Sequence, residues 1–183
     1  VALALAAAPQ LAARIPHLVI MGGAIGWGNV TPAAEFNFWV DPEAAEAVLS
    51  AGIRQVTIFP LDATHDAPLG HADCDRFDAI GTPAATGSSG LIRHRILNYP
   101  DAEDATKVTA PVHDALCVAY LVHPEVATEM ADHSVHIETK GERTVGAMVV
   151  DDRPWSAEPR NARVAKRADA QIFSDFLANA FTP

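Results

Sequence analysis

The sequence predicts an α/β fold built on a parallel sheet flanked by helices. Three observations predict it. The 183 residues are 49% hydrophobic and 20% charged, a globular balance with enough apolar material for a packed core. Residues 18–59 run strand, glycine-rich loop, helix, strand, the order of a parallel crossover unit. The chain then closes on an amphipathic helix with an apolar face to bury.

The elements follow in order. Residues 1–13 are rich in Ala and Leu and read as a helix. Leu18-Val19-Ile20-Met21 is an apolar run stopped by Gly22-Gly23, a buried strand. Gly22 to Pro32 is a glycine-rich loop. Asp41-Pro42-Glu43 starts a helix, with Asp as N-cap, Pro in the first position and an acid in the first turn. That helix runs to Ala51, and Gly52 is its terminating residue. Arg54 to Phe59 is the next strand. Residues 61–80 mix Asp, His and Pro without a clear period. Gly81 to Gly90 is rich in breakers and reads as a loop, and Leu91 to Tyr99 as a helix. Pro111 to Val122 is an apolar helix. Val135–Thr139 and Thr144–Val150 read as a hairpin around Lys140-Gly141-Glu142. Residues 151–162 form a polar loop, Asn161 to Lys166 a short strand, and Ala168 to Phe181 the closing helix, with Ile172, Phe173, Phe176, Leu177 and Phe181 on one face.

Charge and composition exclude several functions. Thirteen basic against 23 acidic residues leave a net charge of −10, a surface that repels nucleic acid and anionic lipid. No stretch approaches the roughly 18–20 apolar residues of a membrane span. Two cysteines, Cys74 and Cys117, are too few for a disulfide framework or a cysteine zinc site, and fit a reducing, cytoplasmic location.

Three constellations carry possible chemistry. Gly26 to Asn37 (GWGNVTPAAEFN) follows a buried strand, where α/β proteins place ligands. Asn29, Glu35 and Asn37 there offer two amides and a carboxylate, a set suited to vicinal hydroxyls. The same asparagines equally serve turns, and the same carboxylate equally faces solvent. In Pro111-Val112-His113-Asp114, His113 is the side chain best suited to exchange a proton near neutral pH, and Asp114 is a hard oxygen ligand for Ca²⁺ or Mg²⁺. Asp114 equally favours the helix dipole. Asp62, His65 and Asp66, with His71, Asp73 and Asp75, match no metal-binding spacing and read as caps, turn residues and a solvated face.

HLVIMGG, GNVTPAAEFNFWVDPEAAEAVL, PLDATH and PVHDALCVAYLVHPE, in that order and spacing, resemble the nucleoside hydrolases of the inosine–uridine-preferring group. TVGAMVVDDR and NARVAKRADAQIFSDFL resemble that family's C-terminal segments, so the likeness covers essentially the whole chain. It implies an open, mostly parallel sheet flanked by helices, and a Ca²⁺-dependent hydrolysis of ribonucleosides to ribose and free base in nucleoside salvage. By the same resemblance, Met21, Asn29, Glu35 and Asn37 line the ribose site, His113 donates a proton to the leaving base, and Asp114 is a Ca²⁺ ligand. Phe36 and Trp39 would pack beside the site. A homo-oligomer, dimer or tetramer, is implied as well.

The sequence departs from the family at one place. Members carry an Asp-rich DTDxGxDD motif after their first strand, which supplies most metal carboxylates and the base that activates water; residues 1–183 contain none. The resemblance therefore implies that residues 1–183 are the C-terminal part of a single nucleoside hydrolase domain, with a sheet incomplete at the N-terminus. The departure also leaves room for a non-catalytic binding or assembly subunit that kept the fold, or for an inactive fragment.

Overall fold

A computed structural model of the chain describes residues 1–98 and 109–183. In chain order the elements are α1 (Ala2–Ala7), a 3₁₀ turn (Pro9–Arg14), β1 (Leu18–Met21), α2 (Phe36–Trp39), α3 (Pro42–Leu49), β2 (Val56–Phe59), α4 (Leu61–Asp66), β3 (Pro68–Gly70), α5 (His71–Ile80) and α6 (Pro83–Leu97). They continue with β4 (Thr109–Pro111), α7 (His113–Val122), a 3₁₀ turn (Pro124–Val126), β5 (Ala127–Ile137), β6 (Met148–Asp151), β7 (Ala162–Ala168) and α8 (Ala170–Phe181).

The chain divides into two compact units. The first comprises residues 1–63 and 129–166. Its frame is a five-stranded open sheet in the order β1-β2-β7-β5-β6. β1 and β2 are parallel, with Leu18 opposite Val56 and Met21 opposite Phe59, and β2 and β7 are parallel, with Ile58 opposite Val164. β5 and β6 form an antiparallel hairpin at the edge. β2 is buried at every position, because a central parallel strand is covered on both faces. α3 is the crossover from β1 to β2. Asp41 caps it by accepting the Ala44 N–H at 3.0 Å, and Gly52, with φ +74°, turns the chain out of it. The core joins Leu5, Phe38, Val48, Leu49, Ile58, Val135, Ile137 and Val164.

The second unit comprises residues 64–128 and 167–183 and is mainly helical, with the antiparallel pair β3–β4. α5 and α6 pack side by side. Phe77 of α5 and Phe181 of α8 meet edge to face with ring centres 5.2 Å apart. Asp66 holds Arg167 through a two-pronged ion pair at 2.7 and 3.1 Å and also accepts the Ala168 N–H. Asp169 caps α8 through the Gln171 and Ile172 amides.

Several expectations change. The opening helix is broken, because Pro9 has no N–H to give and its ring displaces the turn before it. The expected loop from Gly81 to Gly90 is mostly helix. α6 is capped by Thr82, whose hydroxyl accepts the Ala85 N–H at 3.3 Å, and runs through Gly87 and Gly90. Its buried positions are Ala85, Ser89, Ile92 and Ile96, a helical spacing. Burial of that stripe outweighs the cost of two interior glycines, about 1 kcal/mol each. The mixed stretch 61–80 resolves into α4, β3 and α5. The hairpin keeps its place, but its first strand starts earlier, at Ala127, and Glu138, Thr139 and residues 144–147 belong to its connection. Tyr99, the expected end of a helix, lies outside the described residues.

Gly87 is exposed in mid-helix, and a methyl group there meets nothing within 4 Å. Gly87→Ala is therefore expected to raise stability by about 0.5–1 kcal/mol, through lower unfolded-state entropy. Denaturant midpoints of the two proteins check this; an unchanged or lower midpoint contradicts the helical assignment.

Candidate functional site

The polar block after β1 is a set of interlocked backbone caps. β1 ends at Met21, and Gly22 and Gly23 follow. A Cβ at Gly23 would sit 2.8 Å from the Phe38 ring and 2.7 Å from the Met148 sulfur, and its φ is +77°, so only glycine fits. That close approach lets the Gly23 N–H reach Oε2 of Glu35 at 2.9 Å. The same oxygen accepts the Asn37 N–H at 2.9 Å, so Glu35 is the N-cap of α2. Oδ1 of Asn29 accepts the Phe36 N–H at 3.0 Å. Nδ2 of Asn37 donates to the Met21 carbonyl and lies 3.2 Å from its sulfur.

Met21, Asn29, Glu35 and Asn37 therefore converge at the carboxyl end of β1, within the first unit. Glu35 is buried, while Asn29 and Asn37 are exposed. An exposed pair of amides beside a fixed carboxylate can donate to and accept from adjacent hydroxyls. Asp62 anchors the tip of the glycine loop, accepting the Ile25 N–H at 2.7 Å and the Gly26 N–H at 3.1 Å. Phe36 and Trp39, expected as packing residues, are 50% and 38% exposed; Phe38 between them is the buried ring, against Gly22 and Gly23.

His113 and Asp114 open α7 in the second unit. Nδ1 of His113 lies 2.8 Å from the Thr64 hydroxyl and Nε2 lies 3.0 Å from Nη2 of Arg95. Arg95 also donates from Nε to the Pro111 carbonyl at 3.2 Å. The His65 ring is 5.6 Å from the His113 ring. Burial, then the Arg95 charge and His65, push the His113 pKa down to about 4. The imidazole is therefore neutral at pH 7, so any proton it offers comes from a neutral N–H rather than an imidazolium. Asp114 is exposed one position further on and lies near Cys117, whose thiol burial pushes up to about 12.

The profile of the family described as "Inosine-uridine preferring nucleoside hydrolase" matches residues 1–175. The chain belongs to this family. It is 45% identical over 178 residues to the "Pyrimidine-specific ribonucleoside hydrolase RihA" of Salmonella newport (strain SL254), over 97% of this chain and 56% of that protein. It is 44% identical over 179 residues to the protein of the same name from Escherichia coli (strain K12 / MC4100 / BW2952), over 98% and 57%. Among solved structures, it matches the purine-preferring ribonucleoside hydrolase from Gardnerella vaginalis with a TM-score of 0.85 and 25% identity, over 98% of this chain and 56% of that one. An inosine-guanosine nucleoside hydrolase matches with a TM-score of 0.81 and 28% identity, over 97% and 57%. The chain thus spans little more than half the length of the curated relatives it matches.

Nucleoside hydrolases are a metalloenzyme family. Among the described residues of this member, no three His, Cys, Asp or Glu side chains come together as a metal site. Asp114 offers one carboxylate, and Ca²⁺ takes six to eight oxygens. These residues by themselves do not fit the ion. The acidic residues of the 62–75 stretch are committed elsewhere: Asp62 to the loop, Asp66 to Arg167, Asp73 to the Gly70 N–H, and Asp75 to Arg93. No helix among the described residues is long and apolar enough to cross a membrane.

The sequence reading missed Arg95, which sits in helix α6 with no motif around it. Thr64 and His65 stand inside the PLDATH segment, but nothing in that segment says that they face His113.

Two outcomes are expected. In an NMR titration the His113 ring stays neutral at pH 5.5, where an ordinary imidazole, with a pKa near 6.5, is mostly protonated. Because the fold favours the neutral ring, this group's contribution to stability is complete above about pH 6.5 and is lost as pH falls through about 4. Calorimetric titration of this chain with Ca²⁺ is expected to show no micromolar site; tight binding would show that the metal shell is built from residues other than Asp114.

Proposed function

We propose that the whole protein hydrolyses the N-glycosidic bond of ribonucleosides, with pyrimidine nucleosides preferred, giving ribose and free base. The observation that carries this is the convergence of Asn29, Glu35 and Asn37, held by backbone hydrogen bonds at the end of β1. The pyrimidine preference is supported by 45% identity to a relative named as pyrimidine-specific. We read residues 1–183 as the C-terminal part of one nucleoside hydrolase domain, which accords with the 56% of that relative's length it covers. The whole protein is read as a cytoplasmic homo-oligomer, dimer or tetramer; the two buried free thiols suit a reducing compartment.

Cleaving the bond builds positive charge on the ribosyl carbon and negative charge on the departing base. Three aids are needed: a grip on the 2′ and 3′ hydroxyls, hydrogen bonding to the base, and an activated water. Asn29, Glu35 and Asn37 supply the first. Their backbone bonds hold them in place before substrate arrives, so the sugar is oriented without further ordering of these groups. Met21 orients the Asn37 amide through its carbonyl and its sulfur. His113 is the group assigned to the base; a positioned proton donor is typically worth about 10²–10⁴ in rate. No residue of this chain is assigned to activating water. We propose Ca²⁺ as the metal, with Asp114 giving one ligand and the Asp-rich segment that family members carry giving others.

The assay is release of reducing sugar by the full-length protein loaded with Ca²⁺. Uridine and cytidine are expected to turn over faster than inosine and adenosine; no turnover of any ribonucleoside would end this reading. Asn37→Ala is expected to weaken binding of a ribose-like inhibitor by about 0.5–1.5 kcal/mol, the net worth of a hydrogen bond from an exposed amide. His113→Ala is expected to lower kcat on uridine much more than on a nitrophenyl riboside, whose leaving group needs no proton. Equal losses on both would make His113 structural.

A further inference from the structure

We infer that Arg95 is a positioning residue for His113, holding the imidazole in the Nδ1–H tautomer by donating into Nε2. The inference starts from what each partner can do. A guanidinium has only donors and stays protonated in proteins. Its Nη2 lies 3.0 Å from Nε2 of His113. A hydrogen bond at that distance requires a lone pair on Nε2, so the ring's one proton sits on Nδ1. There the Thr64 hydroxyl, 2.8 Å away, takes the Nδ1–H as acceptor. Both ring nitrogens then have partners of the correct polarity; in the other tautomer the Thr64 hydroxyl can turn to donate into Nδ1, but the Arg95 bond is lost, so Arg95 is the partner that selects the tautomer.

The guanidinium is itself aimed. Arg95 lies in the last turn of α6, and its Nε donates to the carbonyl of Pro111, two residues before His113. One side chain therefore grips both the approach to α7 and the first ring on it. Thr64 completes the grip from α4. Three elements of the second unit thus converge on one imidazole.

For the chemistry, the arrangement sorts the donors. As held, Nε2 has no proton to give. A base reaching that nitrogen meets an engaged lone pair, and His113 donates from Nε2 only after Arg95 withdraws and the ring proton transfers from Nδ1. This consequence rests on the hydrolase reading above; the tautomer itself does not.

The test uses full-length protein labelled with ¹⁵N-histidine. Long-range ¹H–¹⁵N correlation at neutral pH separates protonated from bare ring nitrogens. Wild-type His113 is expected to show a bare Nε2 and a protonated Nδ1. In Arg95→Met the pattern is expected to reverse to the Nε2–H form, which is the commoner one for a free imidazole. Arg95→Lys, which keeps a donor, is expected to retain the wild-type pattern and so separates hydrogen bonding from mere packing. A protonated Nε2 in the wild type, or an unchanged Nδ1–H pattern in Arg95→Met, would overturn the inference. The reducing-sugar assay on the same wild-type sample keeps the two ideas apart. Its failure would count against the hydrolase reading, and the ring pattern alone decides the role of Arg95.

Discussion

One oxygen of Glu35 organises the candidate sugar-binding end of the sheet. It accepts the N–H of Gly23, directly after β1, and the N–H of Asn37, in the first turn of α2. A buried carboxylate costs free energy unless it is hydrogen-bonded, and two backbone amides share one oxygen of this one. The bond pair fixes how far α2 stands from the strand end. That spacing in turn places the Asn37 amide on the Met21 carbonyl and brings the Phe36 N–H to Asn29. Removing the carboxylate would leave two amides without their acceptor and release both ends of the loop together.

The packing around that oxygen explains why the glycines are there. Phe38 lies against Gly22 and Gly23, and Gly146 lies against the Trp39 backbone. Side chains at these positions would push α2 off the sheet. The aromatic run Phe36-Asn37-Phe38-Trp39 thus divides its work by helical phase, since successive residues point about 100° apart. Phe38 turns to the core, Asn37 to the strand end, and Phe36 and Trp39 outward.

The second unit solves a different problem, the state of one imidazole. His113 lies partly buried between a cation and another imidazole ring, and both burial and charge favour its neutral form. Thr64 and Arg95 then settle where its single proton resides. A neutral imidazole is a weaker acid than an imidazolium, and this one keeps its single proton on the nitrogen that faces Thr64, away from Arg95. Asp114 lies on the exposed side of the same helix start.

Much of the fold was legible in residues with a local mechanism. Asp41-Pro42 announced α3, Gly52 its end, and the run from Leu18 to Met21 a buried strand, because caps, proline and apolar runs act within a few residues of themselves. Asn29, Glu35, Asn37, His113 and Asp114 were legible as chemistry from their side chains and from the family words around them. Tertiary structure alone decided the rest. α6 crosses Gly87 and Gly90 because it packs along α5 and also meets β3, β4 and α8, and its stripe from Ala85 to Ile96 is buried. The linkage of Glu35 to Gly23, 12 positions away, and of His113 to Arg95 and Thr64, 18 and 49 away, has no local signature. The sequence by itself determined which groups are present and which local turns they favour. Only the folded chain decided that one carboxylate is capped by two amides and one imidazole is held in one tautomer, because those states depend on partners that the fold brings within 3 Å.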